Sequence, residues 1–525
     1  MMDKIRKAIQ QGGYGDWAGA LFLLAAVGML LYAARLCFCD GIWYDELYTM
    51  GLAENSFRRL TALTAMDVHP PFYYYYVKTV QGLCRMAAPG LSAVAVGKLC
   101  SVLPLAGLFV YGITKVRRHF GLLCAGLFAF CIVSMPSLPQ YTVEIRMYTL
   151  TMFLVTAAFL HGFEIVCGVS GDRKRGAIPV DWLCLAVYGI LAAYTHYFAC
   201  VAVAVIYVSL FVFFICAGRK GDGCPWKEWL AAVIGSALAY LPWMAVVARQ
   251  VAQVKENYWI LPLTWRIFGS CVKFLMKPQF GSGGFQVAAA VVLFAVYGGL
   301  FFYILWKYRK ERQICFACMA GTGVLAGVVL FGCAASFLLR PVFITRYMLP
   351  ASGCFWLSFA LFVSLSVKGK KAFLPLLGLV FLLGVGDFRW FRNDETWRRV
   401  KMEEVEEGLA LIGPEDIVLT QFNQVQGVVG YYLENKVYLW DSQPEELLCR
   451  ILEDKYGTMD KEGLERCLED GAKVWFIGNR NSDLLKEWEQ AGIHMREHPE
   501  FMLEIYWVSP YELTLEESGA AAYDG

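Results

Sequence analysis

Three things are missing from this sequence of 525 residues, and each absence excludes a class of structure. No small-residue cleavage site follows the first apolar run, at 17–38, so we expect that run to stay as a membrane anchor and not to be removed as a signal peptide. No glycine fingerprint follows the strand-like runs near the carboxyl end, where Gly478 precedes Asn479, and this argues against a nucleotide site there. A disulfide framework is missing too, because most of the 18 cysteines lie inside apolar runs, where cysteine behaves as a small hydrophobic residue.

Hydrophobic residues, in contrast, are abundant. They make up 58% of the chain, with 15% aromatic residues and a mean hydropathy of +0.47, whereas soluble domains have roughly 45–50% apolar residues. The charges are unevenly divided: residues 396–525 hold 12 Lys and Arg against 27 Asp and Glu, and the rest of the chain holds 35 against 18. Most of the chain is therefore expected to be solvated by lipid, and the acidic carboxyl-terminal part by water.

Eleven apolar runs are long enough to cross about 30 Å of hydrocarbon, which takes roughly 17–25 helical residues. They predict a polytopic α-helical membrane domain over residues 1–392. The runs lie at 17–38, 93–114, 120–136, 143–168, 180–197, 199–217, 228–248, 286–306, 313–339, 345–366 and 372–389.

Basic residues occur at every second connection between these runs, and the positive-inside rule places such connections in the cytoplasm. They are 115–118, 173–175, 219–220, 307–312 and 368–371, together with Lys4, Arg6 and Lys7. We therefore expect a cytoplasmic amino terminus, with 39–92 and the domain after residue 392 on the outer face. The tyrosine-rich stretch 70–86 is expected to lie along the outer interface, because counting it as a span would reverse the later basic loops; an ordinary spanning helix is the alternative.

The pattern changes after residue 392 to that of a soluble α/β domain, over 393–525, with a supporting or acceptor-contacting role. Strands are expected at 416–420, 436–440, 473–477 and 503–508, and helices near 397–411, 423–434, 443–455, 460–469 and 482–491. These elements predict a small three-layer domain.

Two polar motifs occupy the first outer loop. Asp45 and Glu46 follow the first span by only a few residues, which places acids near the membrane surface; the alternative is that Asp45 caps the helix that follows. Further on, Asp67 and His69 precede a proline pair and a tyrosine run that begins at Tyr73, so they are expected at the mouth of the interfacial segment.

Later motifs lie at the outward ends of other spans. Glu144 and Arg146 open the fourth span, His196 marks another helix end, and Arg346 and Tyr347 follow Arg340 where two spans meet outside. Arginines at several outward ends would form a cationic pocket at headgroup depth, since a guanidinium binds phosphate through two parallel hydrogen bonds. Each arginine taken alone could also be a snorkelling surface residue.

The order and common outward side of these motifs resemble the GT-C membrane glycosyltransferases, in the branch of the protein O-mannosyltransferases and the lipid A aminoarabinose transferases. The resemblance covers residues 40 to about 350. It rests on Asp45-Glu46, Asp67-Val68-His69-Pro70-Pro71 with its tyrosines, Glu144-Ile145-Arg146-Met147-Tyr148, Thr195-His196-Tyr197 and Arg346-Tyr347-Met348-Leu349-Pro350.

The resemblance implies a multi-pass hexosyl- or pentosyltransferase of the cell membrane, similar to mannosyltransferases, that takes its sugar from a polyprenyl-phosphate donor. It implies that Asp45 is the catalytic base, with Glu46 beside it. The substrate-binding residues would be Asp67, His69, Tyr73, Glu144, Arg146, His196, Arg346 and Tyr347. The acceptor would be a glycan, lipid or protein at the outer face, with no nucleic acid partner; the acidic domain lacks the repeated motifs of the eukaryotic O-mannosyltransferases, which argues against their substrate.

Chemistry agrees with this interpretation, because glycosyl transfer from a lipid phosphate needs a base for the acceptor hydroxyl and cations for the departing phosphate. No metal ion or other cofactor is obligatory, although Asp45, Glu46, Asp67 and His69 could hold a divalent ion. Two alternatives remain. A transporter of a lipid-linked or polar solute would need charged or broken helices at mid-membrane, which the sequence does not have, and a membrane-anchored binding protein would not need eleven spans.

Overall fold

The computed structural model describes residues 14–39, 41–170, 178–218, 223–254, 260, 262–338, 340–369 and 371–515. The chain divides into two compact units. The first comprises Met1–Phe38, Asp67–Leu91 and Ala95–Arg392, and the second comprises Cys39–Met66, Ser92–Val94 and Asn393–Gly525. Lys4, Arg6, Lys7 and the basic connections at 173–175 and 219–220 lie outside the described residues.

Helices and strands are numbered along the chain. The helices are α1 Tyr14–Leu36, α2 Tyr44–Glu54, α3 Phe57–Thr64, α4 Phe72–Ala87, α5 Ala93–Tyr111, α6 Arg117–Ser134, α7 Tyr148–Val169, α8 Ile178–Ala193, α9 Tyr197–Gly218, α10 Trp226–Val254, α11 Arg266–Met276, α12 Gly283–Lys307, α13 Arg312–Leu338, α14 Leu349–Gly369, α15 Leu374–Leu409, α16 Asn423–Tyr432, α17 Glu446–Ile451, α18 Lys461–Glu469 and α19 Asp483–Gln490. The strands are β1 Ile417–Thr420, β2 Val437–Trp440, β3 Tyr456–Met459, β4 Val474–Gly478, β5 Ile493–Glu497, β6 Phe501–Leu503 and β7 Tyr506–Leu515.

Each of the eleven predicted spans coincides with a helix. In the described part of the chain, nine stretches are long and apolar enough to cross a membrane; one of them, Ala93–Ser134, contains both α5 and α6, and α8 is a shorter apolar helix. The polytopic α-helical domain is thereby confirmed. The expected basic loop at 115–118 is instead helical, with a π-helical turn at Gly112–Val116 and a break at Gly121, whose φ of +85° suits glycine.

Helix α4 covers the tyrosine-rich stretch. Its 16 residues extend about 24 Å, which is short of the roughly 30 Å of hydrocarbon in a bilayer. Tyr73, Tyr74, Val77 and Gln81 form its buried face. One face of the helix thus packs against the protein, and its position along the outer interface stays a prediction.

Small residues allow helices of the first unit to approach closely. A Cβ atom at Gly126 of α6 would overlap the backbone of Gly19 in α1, so these two helices touch through their main chains. Phe22, Phe130 and Phe381 then join α1, α6 and α15 in one aromatic contact, with ring centroids 5.1–5.7 Å apart. The bundle is therefore held by close packing, which is the main source of helix association in lipid.

The second unit contains a seven-stranded mixed sheet in the order β3-β2-β1-β4-β7-β5, with β6 paired to β7. Strands β1 to β4 are mutually parallel, and β7 runs antiparallel to β4, β5 and β6. Two buried hydrophobic clusters, one containing Val418 and Trp475 and the other Leu419 and Phe476, alternate along the strands and so cover opposite faces. The α/β domain is confirmed.

Three details of this domain differ from the sequence expectation. The predicted strand at 503–508 is wrong, because β6 and β7 meet there in a two-residue turn at Glu504 and Ile505. Strands β3, β5 and β6 were not expected, and the helix expected at 443–455 is only Glu446–Ile451. The helix expected at 397–411 is the last part of α15.

Helices α2 and α3 belong to the second unit although they precede it by more than 300 residues. Tyr44 packs against the hydrophobic cluster around Val425, and a Cβ at Gly427 of α16 would lie 2.7 Å from its ring. The Asn55 side-chain amide donates to the carbonyl oxygen of Ile451 at 3.3 Å, and the Arg59 guanidinium donates to the carbonyl of Arg450 at 2.9 Å. The loop that follows α1 is therefore part of the α/β fold.

The orientation of the chain can be tested by cysteine labelling in a cysteine-depleted protein. We expect a cysteine at exposed Lys310, after α12, to react only from the cytoplasmic side, and one at exposed Glu489, in α19, only from outside. The measurement is labelling by a membrane-impermeant maleimide in intact and in permeabilised cells. Labelling of both positions from the same side would contradict the alternation of basic loops.

Candidate functional site

The first unit brings Asp67 and His69 into one buried turn before α4. His69 Nδ1 lies 3.3 Å from Asp67 Oδ2, and the Tyr74 hydroxyl donates to the same oxygen at 3.2 Å. Burial by itself raises the pKa of Asp67, but the contact with His69 and the charge of Arg146 together hold that pKa below its usual value. The turn therefore presents an ionised carboxylate whose position is fixed by two side chains.

His196 lies next to this turn, in the connection between α8 and α9. Its ring centroid is 5.8 Å from that of His69 and 5.1 Å from that of Tyr347. The Phe198 N–H donates to His196 Nδ1 at 3.1 Å, and burial, followed by electrostatic interaction with His69, Arg146 and Arg346, lowers the pKa of His196 well below its usual value. His196 is thus a neutral imidazole whose proton is on Nε2.

Arg146 and Arg346 also interact electrostatically with His196. Arg146 lies just before α7 and is 6% exposed, and Arg346 lies in the 3₁₀ turn Thr345–Met348 before α14. Both charges act on His196, and Arg146 also acts on Asp67. Two guanidinium groups from separate helix ends therefore act on the same buried imidazole, which lies beside the rings of His69 and Tyr347.

Glu144 and Tyr73 complete the predicted set in this unit. The Ser101 hydroxyl of α5 donates to the carbonyl oxygen of Glu144, and the Arg146 N–H donates to the same oxygen at 2.8 Å. These two hydrogen bonds fix the backbone of the segment that carries Arg146. Tyr73 is fully buried in α4. The α4 helix is itself held, because the Phe72 N–H donates to the Tyr194 carbonyl oxygen at 3.0 Å.

Sequence reasoning missed Lys98, which is 7% exposed and one turn before Ser101 in α5. A lysine inside an apolar run is costly to bury and is therefore a functional candidate, so its position alone could have revealed it. Lys98 thus lies one helical turn from Ser101, whose hydroxyl donates to the carbonyl oxygen of Glu144.

A second set of charged and titratable side chains lies at the opposite ends of these helices, in the π-helical turn after α5 and in α6, α7 and α8. Lys115 Nζ lies 3.5 Å from Glu164 Oε1 and 3.5 Å from Asp181 Oδ1, and His161 Nδ1 is 2.8 Å from Asp181 Oδ1. His119 Nε2 lies 3.1 Å from Glu164 Oε1. The basic side chains of this set lie beside Glu164 or Asp181, so we interpret the set as ion pairs and hydrogen bonds that hold the helix ends together.

The second unit carries the acidic motif at the start of α2. Trp43 is the N-cap, so Asp45 is the second helical residue and does not cap the helix. Glu46 is 3% exposed, and its Oε2 accepts the Trp43 N–H at 3.1 Å. Glu46 therefore has a structural task, whereas half-buried Asp45 sits at a helix start whose dipole favours a negative charge.

Glu504 was not anticipated from the sequence. It lies in the β6–β7 turn with a φ of +58°, a conformation unusual for a residue other than glycine. Its Oε1 accepts the Tyr44 N–H at 2.8 Å, so it holds the first turn of α2. Burial raises the pKa of Glu504 to about 7, the Tyr44 hydrogen bond opposes the shift, and the charges of Asp45 and Glu46 add to it, with Arg398 acting in the opposite sense.

This raised pKa predicts a pH dependence of α2. The ordinary pKa of a glutamate is about 4.5, and the pKa of Glu504 in the folded protein is about 7. Between these two pH values Glu504 keeps its proton when α2 is folded and releases it when α2 opens. The stability of α2 is therefore greatest at the acid end of this range and is lost as the pH rises. We expect the local free energy of opening α2 to fall by about 1–3 kcal/mol between pH 5 and pH 8. Hydrogen–deuterium exchange of α2 amides in the full-length protein measures it.

Glu504→Gln is the matched variant, because an amide oxygen can still accept the Tyr44 N–H but carries no proton to lose. Its α2 opening energy should be nearly independent of pH. An equal pH dependence in the variant and the wild type would assign the effect to other groups.

Within the described residues, no group of three or more His, Cys, Asp or Glu side chains is arranged to hold a metal ion. A divalent ion shared by Asp45, Glu46, Asp67 and His69 therefore has no support from this arrangement. Arg146 and Arg346 are two cationic groups of the first unit that suit an anionic substrate.

The fold is similar to that of two solved structures of one protein. The chain is similar to ArnT from Cupriavidus metallidurans in the apo state, with a TM-score of 0.60, 12% identity, and coverage of 94% of this chain and 97% of that one. It is similarly related to ArnT bound to undecaprenyl phosphate, with a TM-score of 0.58, 12% identity, and coverage of 96% and 99%. No protein-family model and no curated protein sequence matches the chain. The expected fold class, a polytopic α-helical bundle with a carboxyl-terminal α/β domain, is thereby confirmed.

Proposed function

We propose that this chain, built on the GT-C fold, is an integral membrane glycosyltransferase that transfers a sugar from a polyprenyl-phosphate donor to an acceptor at the outer face of the cell membrane. The observation that carries the proposal is that the charges of Arg146 and Arg346 both act on buried His196 of the first unit, whose ring lies beside those of His69 and Tyr347. The similar ArnT structure that is bound to undecaprenyl phosphate supports a lipid-phosphate ligand.

Arg146 and Arg346 are proposed to bind the donor phosphate. A guanidinium donates two parallel hydrogen bonds to phosphate oxygens and keeps its charge when buried. Neutral His196 adds an Nε2–H donor without adding charge, and ionised Asp67 holds His69 in place. As the bond from the anomeric carbon to the phosphate oxygen breaks, the two arginines stabilise the negative charge on the leaving polyprenyl phosphate.

Asp45 is proposed to be the general base. The acceptor hydroxyl attacks the anomeric carbon, forms the new glycosidic bond and gives its proton to a carboxylate. Asp45 is half-buried at a helix start, and Glu46 and Glu504 fix the backbone just before it through the Trp43 and Tyr44 N–H groups. This support keeps the base in place, which is what efficient proton transfer requires.

The donor sugar is proposed to be a hexose or a pentose, and the acceptor a glycan, lipid or protein. The test is to purify the full-length protein into nanodiscs and to incubate it with synthetic undecaprenyl-phosphate sugars, while measuring the undecaprenyl phosphate released. Mass spectrometry of surface glycans and lipids from cells with the wild-type gene, without it, or with Asp45→Asn then identifies the acceptor.

We expect at least one surface glycan or lipid to lose a sugar in the cells without the gene and in the Asp45→Asn cells, and to regain it with the wild type. Restoration by Asp45→Asn would contradict the assigned base. Movement of intact sugar lipid across proteoliposome membranes, with no release of undecaprenyl phosphate, would favour a transporter.

A further inference from the structure

A lateral groove of about 670 Å³ runs between α1 and α15 within the first unit. Ala25, Gly28, Met29 and Tyr32 line it from α1. Their spacing of three, four and seven residues places them on one face of that helix. Val385, Phe388, Arg389 and Arg392 line it from α15 with the same spacing.

Aromatic contacts bound the groove along its length. Phe22 and Phe381 touch at one level, with ring centroids 5.7 Å apart, and Tyr32 and Phe388 touch at another, 6.1 Å apart. Gly28 lies between these levels, and a Cβ at that position would have no atom within 4 Å. The groove is thus a space that the two helices leave open, and the small side chains on α1 keep it open.

Leu24, Leu31 and Leu382 beside the groove are 67–70% exposed. In a membrane protein, exposed leucines on spanning helices face lipid, because lipid tails are as apolar as the side chains. The groove therefore opens sideways into the bilayer, and an acyl chain can enter it without crossing the protein.

Arg389 and Arg392 lie beyond the Tyr32–Phe388 contact, at the end of the groove where α1 finishes. Tyr32 is 18 residues along from Tyr14, the first residue of α1, a distance of about 27 Å and close to the thickness of the hydrocarbon layer. Both arginines are exposed, and Arg35, one turn after Tyr32, is exposed as well. The charged end thus lies at headgroup depth and is positive.

We propose that this groove binds an anionic phospholipid of the surrounding bilayer, with one acyl chain against Ala25, Gly28 and Met29 and the phosphate on Arg389 and Arg392. Charge and shape both point to this ligand: the groove is apolar within the hydrocarbon and cationic at the headgroup level. The occupant comes from the bilayer because the groove opens to lipid. The groove shares no residue with the candidate site around Arg146, His196 and Arg346, so this proposal does not depend on the proposed function.

The experiment is native mass spectrometry of the full-length protein with dioleoylphosphatidylglycerol and dioleoylphosphatidylcholine, which have the same acyl chains. The wild type should bind phosphatidylglycerol more tightly, and Arg389→Gln with Arg392→Gln should remove roughly 10–30-fold of that affinity, since each cation near the surface contributes about a factor of five. Arg309→Gln, at the end of α12, is the matched control and should have no effect.

A second variant tests the groove itself and leaves both arginines in place. Gly28→Leu fills open space without meeting another atom, so it should block the acyl chain and lower binding of both lipids in a folded protein. Gly298→Leu in α12, where a Cβ is also unobstructed, is its control. Folding is checked by the melting temperature in detergent.

Equal binding of the two lipids by the wild type, or an unchanged preference in the double arginine variant, would overturn the proposal. So would displacement of phosphatidylglycerol by equimolar undecaprenyl phosphate, because the groove would then belong to the polyprenyl carrier. Failure of the wild type to turn over the sugar donor while it still binds phosphatidylglycerol would contradict the proposed glycosyltransferase function and would leave the groove proposal supported.

Discussion

Asp45→Asn is expected to lower the rate of sugar transfer by about 10²–10⁴-fold, the usual contribution of a general base. The amide has the shape of the carboxylate but cannot accept the proton of the acceptor hydroxyl. Folding should change little, because Trp43 and not Asp45 is the N-cap of α2, and the charge lost at the helix start contributes only about 0.3–1 kcal/mol. Single-turnover transfer from a synthetic polyprenyl-phosphate sugar measures the effect.

Two controls separate a chemical role from a structural one. Asp483→Asn makes the same change in the first turn of α19, where the side chain is 86% exposed, and should leave transfer unchanged. Glu46→Gln keeps an acceptor for the Trp43 N–H and should cost much less than Asp45→Asn. A wild-type rate in Asp45→Asn protein with normal donor binding would end the assignment of Asp45 as the base.

Replacing Arg146 or Arg346 by Ala is expected to weaken donor binding by about 10–100-fold, the equivalent of one hydrogen-bonded charge pair. Lysine should restore only part of the affinity, because a point charge cannot donate two parallel hydrogen bonds. The effect should be largest for Arg146, which is the more deeply buried of the two. Titration of the purified protein with undecaprenyl phosphate measures it.

Arg309→Lys, at an exposed helix end, is the matched control and should bind the lipid as the wild type does. If Arg346→Lys and Arg346→Ala both keep full affinity in folded protein, Arg346 is a snorkelling surface cation and not a phosphate ligand. The same result for Arg146 would remove the observation that carries the proposed function.

Much of the first unit was accessible from sequence. The spans follow from hydropathy because a helix must be a certain length to cross the hydrocarbon, and this length is independent of the partner helices. The sequence also placed Arg146, His196 and Arg346 at helix ends on the same expected side, and their role in one site stays a prediction. The bend at Gly121 was not predicted, because glycine is common in spanning helices and only the backbone φ shows the break.

Less of the second unit could be predicted from the sequence. Strand β3 is a short edge strand containing Gly457, and β5 is polar along one side, so neither has the strong apolar run of β1 or β4. The turn at Glu504 lacks Gly, Asn or Asp, and the apolar residues on either side continue without a visible interruption. A turn that tertiary packing imposes leaves no local pattern of residues from which it could be predicted.

The sequence by itself determined that this is a polytopic membrane protein with an acidic α/β domain, and it placed the arginines, histidines and acids of the candidate site at helix ends. Those properties depend on local composition and on the fixed thickness of the bilayer. Only the tertiary structure decided that α2 joins the α/β unit, that Glu46 and Glu504 hold its first turn around Asp45, and that α1 and α15 leave a groove. Apart from the local contact between Glu46 and Trp43, each of these depends on residues hundreds of positions apart, and such contacts follow from packing that no local pattern encodes.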